Sequence, residues 1–166
     1  MSAIGQSLIT ILPRLRRYAL ALCHVADVAD DLVQTACERA LAAAGQYDGM
    51  RFEAWMFRIV RNAWYDRLRR QRTRGQESDI TERDDIAALD AEKLPERRLL
   101  LRRVMAAIDA LPEDQRDLML LVCVEDVSYR EAAEILDLPM GTVMSRLARA
   151  RRKIADDVGV ESGRLL

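Results

Sequence analysis

SYREAAEILDLPMGTVMSRLARARRKI, residues 128–154, decides how this chain folds. Ser128 and Glu131 have capping-box spacing, in which the serine hydroxyl caps the amide of Glu131 and the carboxylate reaches back. A short helix therefore covers 128–136, ending around Leu136. Asp137-Leu138-Pro139-Met140-Gly141 reads as a turn, and a last helix runs from Thr142 to about Asp156. Ala132 and Ala133 are small enough for close helix contact, and Val143 and Leu147, four apart, face inward. Thr142, Met144, Ser145, Arg146 and Arg149 are left to solvent. A capped helix, a short turn and a basic helix make a helix-turn-helix, whose second helix places its first turns in a DNA major groove. The plainer alternative is a helical hairpin with a solvated basic face.

Upstream, Leu99, Leu100, Val104, Ala107, Ile108 and Leu111 mark a helix that begins near Glu96 and stops before Pro112. Pro112 opens the next helix, which carries Leu118, Met119, Leu121 and Val122. Residues 73–95 are polar, acidic and weakly periodic, and read as a flexible linker. Before them lie three more helical patterns. The first covers Ser7 to Cys23, with Leu8, Leu12, Leu15, Ala19 and Leu22 on one stripe; Pro13 should start or bend it. The second covers Asp27 to Ala44, with Leu32, Val33, Ala36, Ala40 and Leu41 inward. After a loop at 45–50, the third covers Phe52 to Gln71 and buries Phe52, Met56, Ile59, Val60, Ala63 and Leu68. The expectation is an all-α protein: two small helical domains, 1–75 and 96–166, joined by the acidic linker 76–95, with the helix-turn-helix in the second.

Composition agrees with helices. Half of the 166 residues are apolar and 32% are charged, with seven glycines and four prolines. No run approaches the ~20 apolar residues of a membrane span. The N-terminal stretch has neither the basic leader nor the cleavage site of a signal peptide, so a cytoplasmic protein without membrane insertion is expected. Cys23, Cys37 and Cys123 are far apart and odd in number, which favours ordinary thiols over a disulfide framework. His24 is the single histidine, and no spacing of metal ligands surrounds it, so no metal or other cofactor is expected. No phosphate loop and no paired nucleophile and base is present, which argues against an enzyme. The net charge of −1 hides segregation: residues 1–75 hold twelve arginines against seven acids, and residues 76–97 hold eight acids against three bases. Two basic patches separated by an acidic segment suggest two contacts with a polyanion.

The second basic patch is FEAWMFRIVRNAWYDRLRRQRTR, residues 52–74. Aromatics among arginines offer stacking surfaces for unpaired bases along with neutralisation of the backbone. Asn62 carries a donor and an acceptor suited to a base edge. A core helix with solvated arginines accounts equally well for the stretch, and for Trp55 alone burial is the better account.

DDLVQTACERAL (30–41), FEAWMFRIVRNAWYD (52–66), LPEDQRDLMLL (111–121) and the stretch at 128–154 resemble, in this order, the signature blocks of extracytoplasmic-function sigma factors of the sigma-70 family. The resemblance covers nearly the whole chain. It implies a promoter-recognising subunit for core RNA polymerase, with Asp30, Asp31, Leu32 and Gln34 docking on the polymerase. It makes Tyr47, Asp48, Arg51, Asn62, Trp64 and Tyr65 contacts to the minus-ten strand. Arg130, Thr142, Met144, Ser145, Arg146 and Arg149 become contacts to the minus-thirty-five duplex. An anti-sigma factor as inhibitor, a role in a stress or envelope response, and a monomeric free state are implied too. Two features depart from the family's commonest pattern: Asp137 stands where glycine is frequent, and Met144 where a basic residue is frequent. The competing readings are a dimeric helix-turn-helix regulator on palindromic sites, and a mimic that titrates an anti-sigma factor.

Overall fold

The computed structural model describes residues 3–47, 51–75 and 95–159, apart from the side chains of Ala3, Ile4, Gln46 and Glu96. These residues form seven α-helices and no strand. The chain divides into two compact units, Met1–Asp85 and Ile86–Leu166. Residues 76–94 of the acidic linker lie outside the described residues.

In the first unit, α1 (Ala3–Cys23), α2 (Ala26–Ala42) and α3 (Phe52–Thr73) each pack against the other two. Their shared core includes Ile11, Leu15, Tyr18, Leu32, Ala36, Met56, Phe57 and Val60. Tyr18 and Phe57 meet edge to face, with ring centroids 5.3 Å apart. Pro13 does not start α1, which runs through it. Its ring is exposed, and the apolar side chains buried on both sides offset the one backbone hydrogen bond that proline removes. α1 ends at His24, buried with φ 62°, whose N–H donates to Leu20 O at 2.8 Å. A 3₁₀ turn, Ala44–Gln46, follows α2 where a loop was expected. Leu41, expected inside, is 54% exposed among the described residues.

In the second unit, α4 (Pro95–Asp109), α5 (Glu113–Met119) and α6 (Tyr129–Leu136) all pack on α7 (Met140–Val158). α7 buries Val143, Leu147, Ala150, Ile154, Ala155 and Val158, a continuous helical stripe. Pro112 caps α5 from just outside it, its carbonyl accepting from Gln115 N and Arg116 N at 2.9 Å each. After Met119 the helix widens into a π turn, Leu120–Val124, closed by Glu125 N donating to Leu120 O at 3.2 Å. The wider turn lets Leu120 and Leu121 both point fully inward. Leu99 and Leu100, expected in the core, are 62% and 47% exposed. One turn after these leucines, Arg103 of α4 donates to Val158 O in the last turn of α7 at 2.9 Å.

The capping box forms as its spacing requires. Glu131 N donates to Ser128 Oγ at 3.2 Å, and Ser128 N donates to Glu131 Oε2 at 3.0 Å. Asp137 closes α6 in the left-handed region (φ 54°, ψ 52°), which aspartate tolerates better than most residues. Replacing Ser128 with alanine should cost about 1 kcal/mol of stability. A urea titration of the full chain would show no shift if the box were incidental.

Candidate nucleic-acid interface

α7 begins at Met140, two residues before the start expected from sequence, because Pro139 supplies the first acceptor. Its carbonyl takes hydrogen bonds from Thr142 N at 2.9 Å and Val143 N at 3.1 Å. With Val143, Leu147, Ala150 and Ile154 inward, the opposite face carries Gly141, Met144, Ser145, Ala148, Arg149 and Arg152, all exposed. Ser145 Oγ donates to Thr142 O at 3.1 Å, which leaves its lone pairs available. Arg149 Nε leans on Ser145 O at 3.4 Å, so the rest of the guanidinium projects from the face. Arg130, on α6, is exposed as well.

Arg146 is different. It lies at the edge of this face, half-buried, and its Nε donates to Asp114 Oδ2 of α5 at 3.0 Å. The ion pair ties α7 to α5 and occupies part of the fork that a base or phosphate would need. Thr142 is half-buried too. Of the six residues named for duplex contact, Arg130, Met144, Ser145 and Arg149 are open to solvent; Thr142 and Arg146 are partly engaged by the protein. Arg152 was missed, although it follows Ser145 by seven residues and so shares its face.

The first unit offers a second basic surface on α3. Arg58, Asn62, Tyr65 and Arg69 succeed one another at spacings of four, three and four, which aligns them along one side of the helix. Arg58, Asn62 and Arg69 are exposed, and the Arg61 guanidinium sits 4.8 Å over the Tyr65 ring. Arg58 was not among the named residues; its place one turn before Asn62 is the signal. Trp64 is half-buried, its indole N–H buried with no hydrogen-bond partner among the described residues. It contributes bulk to the unit more than a polar edge to a ligand.

At the start of α3, Arg51 adopts φ 57° and is exposed. Beside it Tyr47 stacks on Trp55 at 5.0 Å and 17°, with Phe52 edge-on to Tyr47 at 5.5 Å. Trp55 is half-buried in this cluster, between the core position and the stacking surface considered for it. Asp48 lies outside the described residues.

On α2, Asp30, Asp31 and Gln34 are exposed, whereas Leu32 is buried at 3%. Leu32 thus belongs to the core of the unit and sets the orientation of α2 without presenting a side chain to a partner. Arg16 of α1 holds Asp30 at 2.7 Å, and Arg67 of α3 approaches Asp31 at 3.7 Å. Below them Asp66 is bracketed by Arg69 and by Arg39, the latter at 3.3 Å. The hydrogen bond from Arg69 lowers the Asp66 carboxyl below its ordinary range; the bond from Arg39 adds to this, and burial opposes both. A lowered carboxyl stabilises the fold at neutral pH and ceases to as pH falls through its folded pKa. Asp66→Asn should therefore lower the thermal midpoint at pH 7 by more than it does at a pH well below the ordinary carboxylate range. Equal shifts at both pH values would contradict this.

The three thiols are free. Burial pushes each of them up from the ordinary value, and Cys23 Sγ also donates to Val25 O at 3.3 Å. Thiols held protonated in this way are weak nucleophiles. No group of side chains suited to a metal ion occurs among the described residues, and no described helix is long and apolar enough to cross a membrane.

Comparisons with known proteins place these surfaces in a family. Residues 9–74 match the family described as Sigma-70 region 2, and residues 101–154 the one described as Sigma-70, region 4. The chain is 33% identical to the ECF RNA polymerase sigma factor EcfG of Rhodopseudomonas palustris over 92% of its own length and 83% of that protein's. It is 36% identical to the ECF RNA polymerase sigma-E factor of Escherichia coli, covering 77% of this chain and 72% of that one. Among solved structures, the sigma factor RpoE of Bartonella quintana, in complex with the anti-sigma factor NepR, superposes with a TM-score of 0.72 at 29% identity. The match covers 95% of this chain and 97% of that one. The chain belongs to the extracytoplasmic-function family of sigma-70 RNA polymerase sigma factors.

Proposed function

We propose that this chain directs core RNA polymerase to a set of promoters and helps to open them, and that an anti-sigma factor restrains it. It is an initiation factor and not an enzyme. Residues 1–75 dock on the polymerase through Asp30, Asp31 and Gln34 and hold the melted minus-ten strand along α3 through Arg51, Asn62 and Tyr65. Residues 96–166 read the minus-thirty-five duplex through Ser145 and Arg149, with Met144 beside them and Arg130 on phosphate. The linker at 76–95 spans the two, so the polymerase sets their separation and a monomer serves on an asymmetric site. The observation that carries this reading is the exposed basic face of α7, held over a capped α6, in a chain that carries a second basic helix in α3. Solved relatives captured with anti-sigma factors support the inhibitory partner. A cytoplasmic location follows from this reading, since polymerase and promoter are there.

Run-off transcription with core polymerase and this chain should yield transcripts from promoters mapped after induced expression. In the same assay the double replacement Asp30→Lys, Asp31→Lys should weaken core binding at least ~10-fold, the effect of losing a central charged contact. Both acids sit in exposed ion pairs, so their loss costs the fold little. A core pull-down unchanged by the double replacement would remove the docking assignment, and no transcript from any promoter would remove the function.

A further inference from the structure

Met140 and Met144 are 44% and 55% exposed, one turn apart at the start of α7. Met56, Met105 and Met119 are buried, so these two stand out as large apolar side chains left in water on a helix otherwise rich in arginine. They form one edge of the exposed face of α7; Thr142 and the tethered Arg146 form the other. Between the edges the face is floored by Gly141, Ser145 and Ala148, small residues that allow a close approach. A Cβ added at Gly141 would meet nothing within 4 Å, so the glycine is not there to accommodate a neighbour within the protein. Arg149 and Arg152 project from the same face and give it the charge to hold a polyanion.

We infer that Met144, flanked by Met140, is a specificity-determining residue that reads thymine 5-methyl groups in the major groove of the upstream promoter element. The inference rests on the promoter-binding reading above and adds the chemistry of one contact. Of the groups on base edges in the major groove, the thymine methyl is the apolar one. A thioether side chain has no strong donor or acceptor for the polar edges, but it is polarizable and adapts its shape to a methyl. Its neighbours divide the work: Ser145 and Arg149 supply hydrogen bonds, and the methionine edge discriminates by shape and desolvation. An arginine at this position would reach for guanine instead. A protein partner covering the same apolar edge is the competing occupant. The arginines beside it favour nucleic acid.

The test uses holoenzyme reconstituted from core polymerase and the full chain, on duplex promoters identified by start-site mapping. Each thymine of the upstream element, on either strand, is replaced in turn by uracil, which removes the methyl and leaves the hydrogen-bonding edge intact. Wild-type holoenzyme should lose affinity about fourfold at one or two positions, the effect of one methyl no longer buried. Met144→Ala should weaken binding to the thymine duplex by a similar factor and become indifferent to uracil at those same positions. Met140→Ala should do so to a smaller extent. A wild type indifferent to uracil at every position overturns the inference while leaving promoter recognition standing. So does a Met144→Ala variant that keeps the full uracil penalty, or one that binds every duplex normally and loses only the anti-sigma factor. Failure of wild-type holoenzyme to bind the thymine promoter overturns the promoter reading and this inference with it. Met144 is exposed, so the variant keeps its fold, and circular dichroism would register any exception.

Discussion

Phe57→Ala should strongly destabilise the first unit of this protein. Phe57 is 1% exposed at the centre of the α1–α2–α3 core, edge-on to Tyr18 at 5.3 Å and beneath the Arg14 guanidinium at 5.3 Å. Truncating a buried phenylalanine costs about 3–5 kcal/mol, and loss of the aromatic pair is part of that. A helical unit of this size is held by about 5–10 kcal/mol in all. The variant should therefore lose at least about a third of its stability, with a thermal transition for the first unit well below that of the wild type and weaker core binding. The second unit has its own core around α7, so its transition should persist. Leu41→Ala, at an exposed position of the same unit, should change its stability by no more than about 0.5 kcal/mol. Retention of a wild-type melt by Phe57→Ala would mean that the core is not organised as described.

Arg149→Ala should weaken holoenzyme binding to the upstream element by about 1–3 kcal/mol, or 5- to 150-fold. Arg146→Ala should cost less, although the two arginines are three residues apart on one helix. The reason is their surroundings. Arg149 is exposed, and its Nε touches only the Ser145 carbonyl, whereas Arg146 is half-buried and pinned to Asp114 at 3.0 Å. A guanidinium already engaged by a carboxylate contributes less net charge to DNA. Loss of Arg146 should appear as reduced stability of the α5–α7 contact, while loss of Arg149 should appear in the binding constant. The salt dependence separates the two roles available to Arg149. A slope reduced by about one unit identifies a phosphate contact, and an altered base preference at one position identifies a base contact. Equal binding losses for the two variants would contradict the roles given to them.

The all-α class, the capped helix, the inward stripe of α7 and the two basic surfaces were legible in residue spacing alone, because each depends on contacts three or four residues apart. Ser128 and Glu131 are such a pair, and so are Val143 and Leu147. What the spacing could not decide was which apolar or charged residue meets a partner from a distant part of the chain. Leu99 and Leu100 have core spacing but are exposed among the described residues, while Leu32 belongs to a signature block and is buried. Pro13 reads as the start of a helix or a bend in one, and it sits inside a helix, since the core on both sides of it outweighs one lost hydrogen bond. Arg146 and Arg149 look equivalent in sequence; the approach of Asp114, 32 positions earlier, makes them different. Local backbone geometry is written in neighbouring residues, but burial and ion pairing are properties of the packed helices, and only the tertiary structure assigns them.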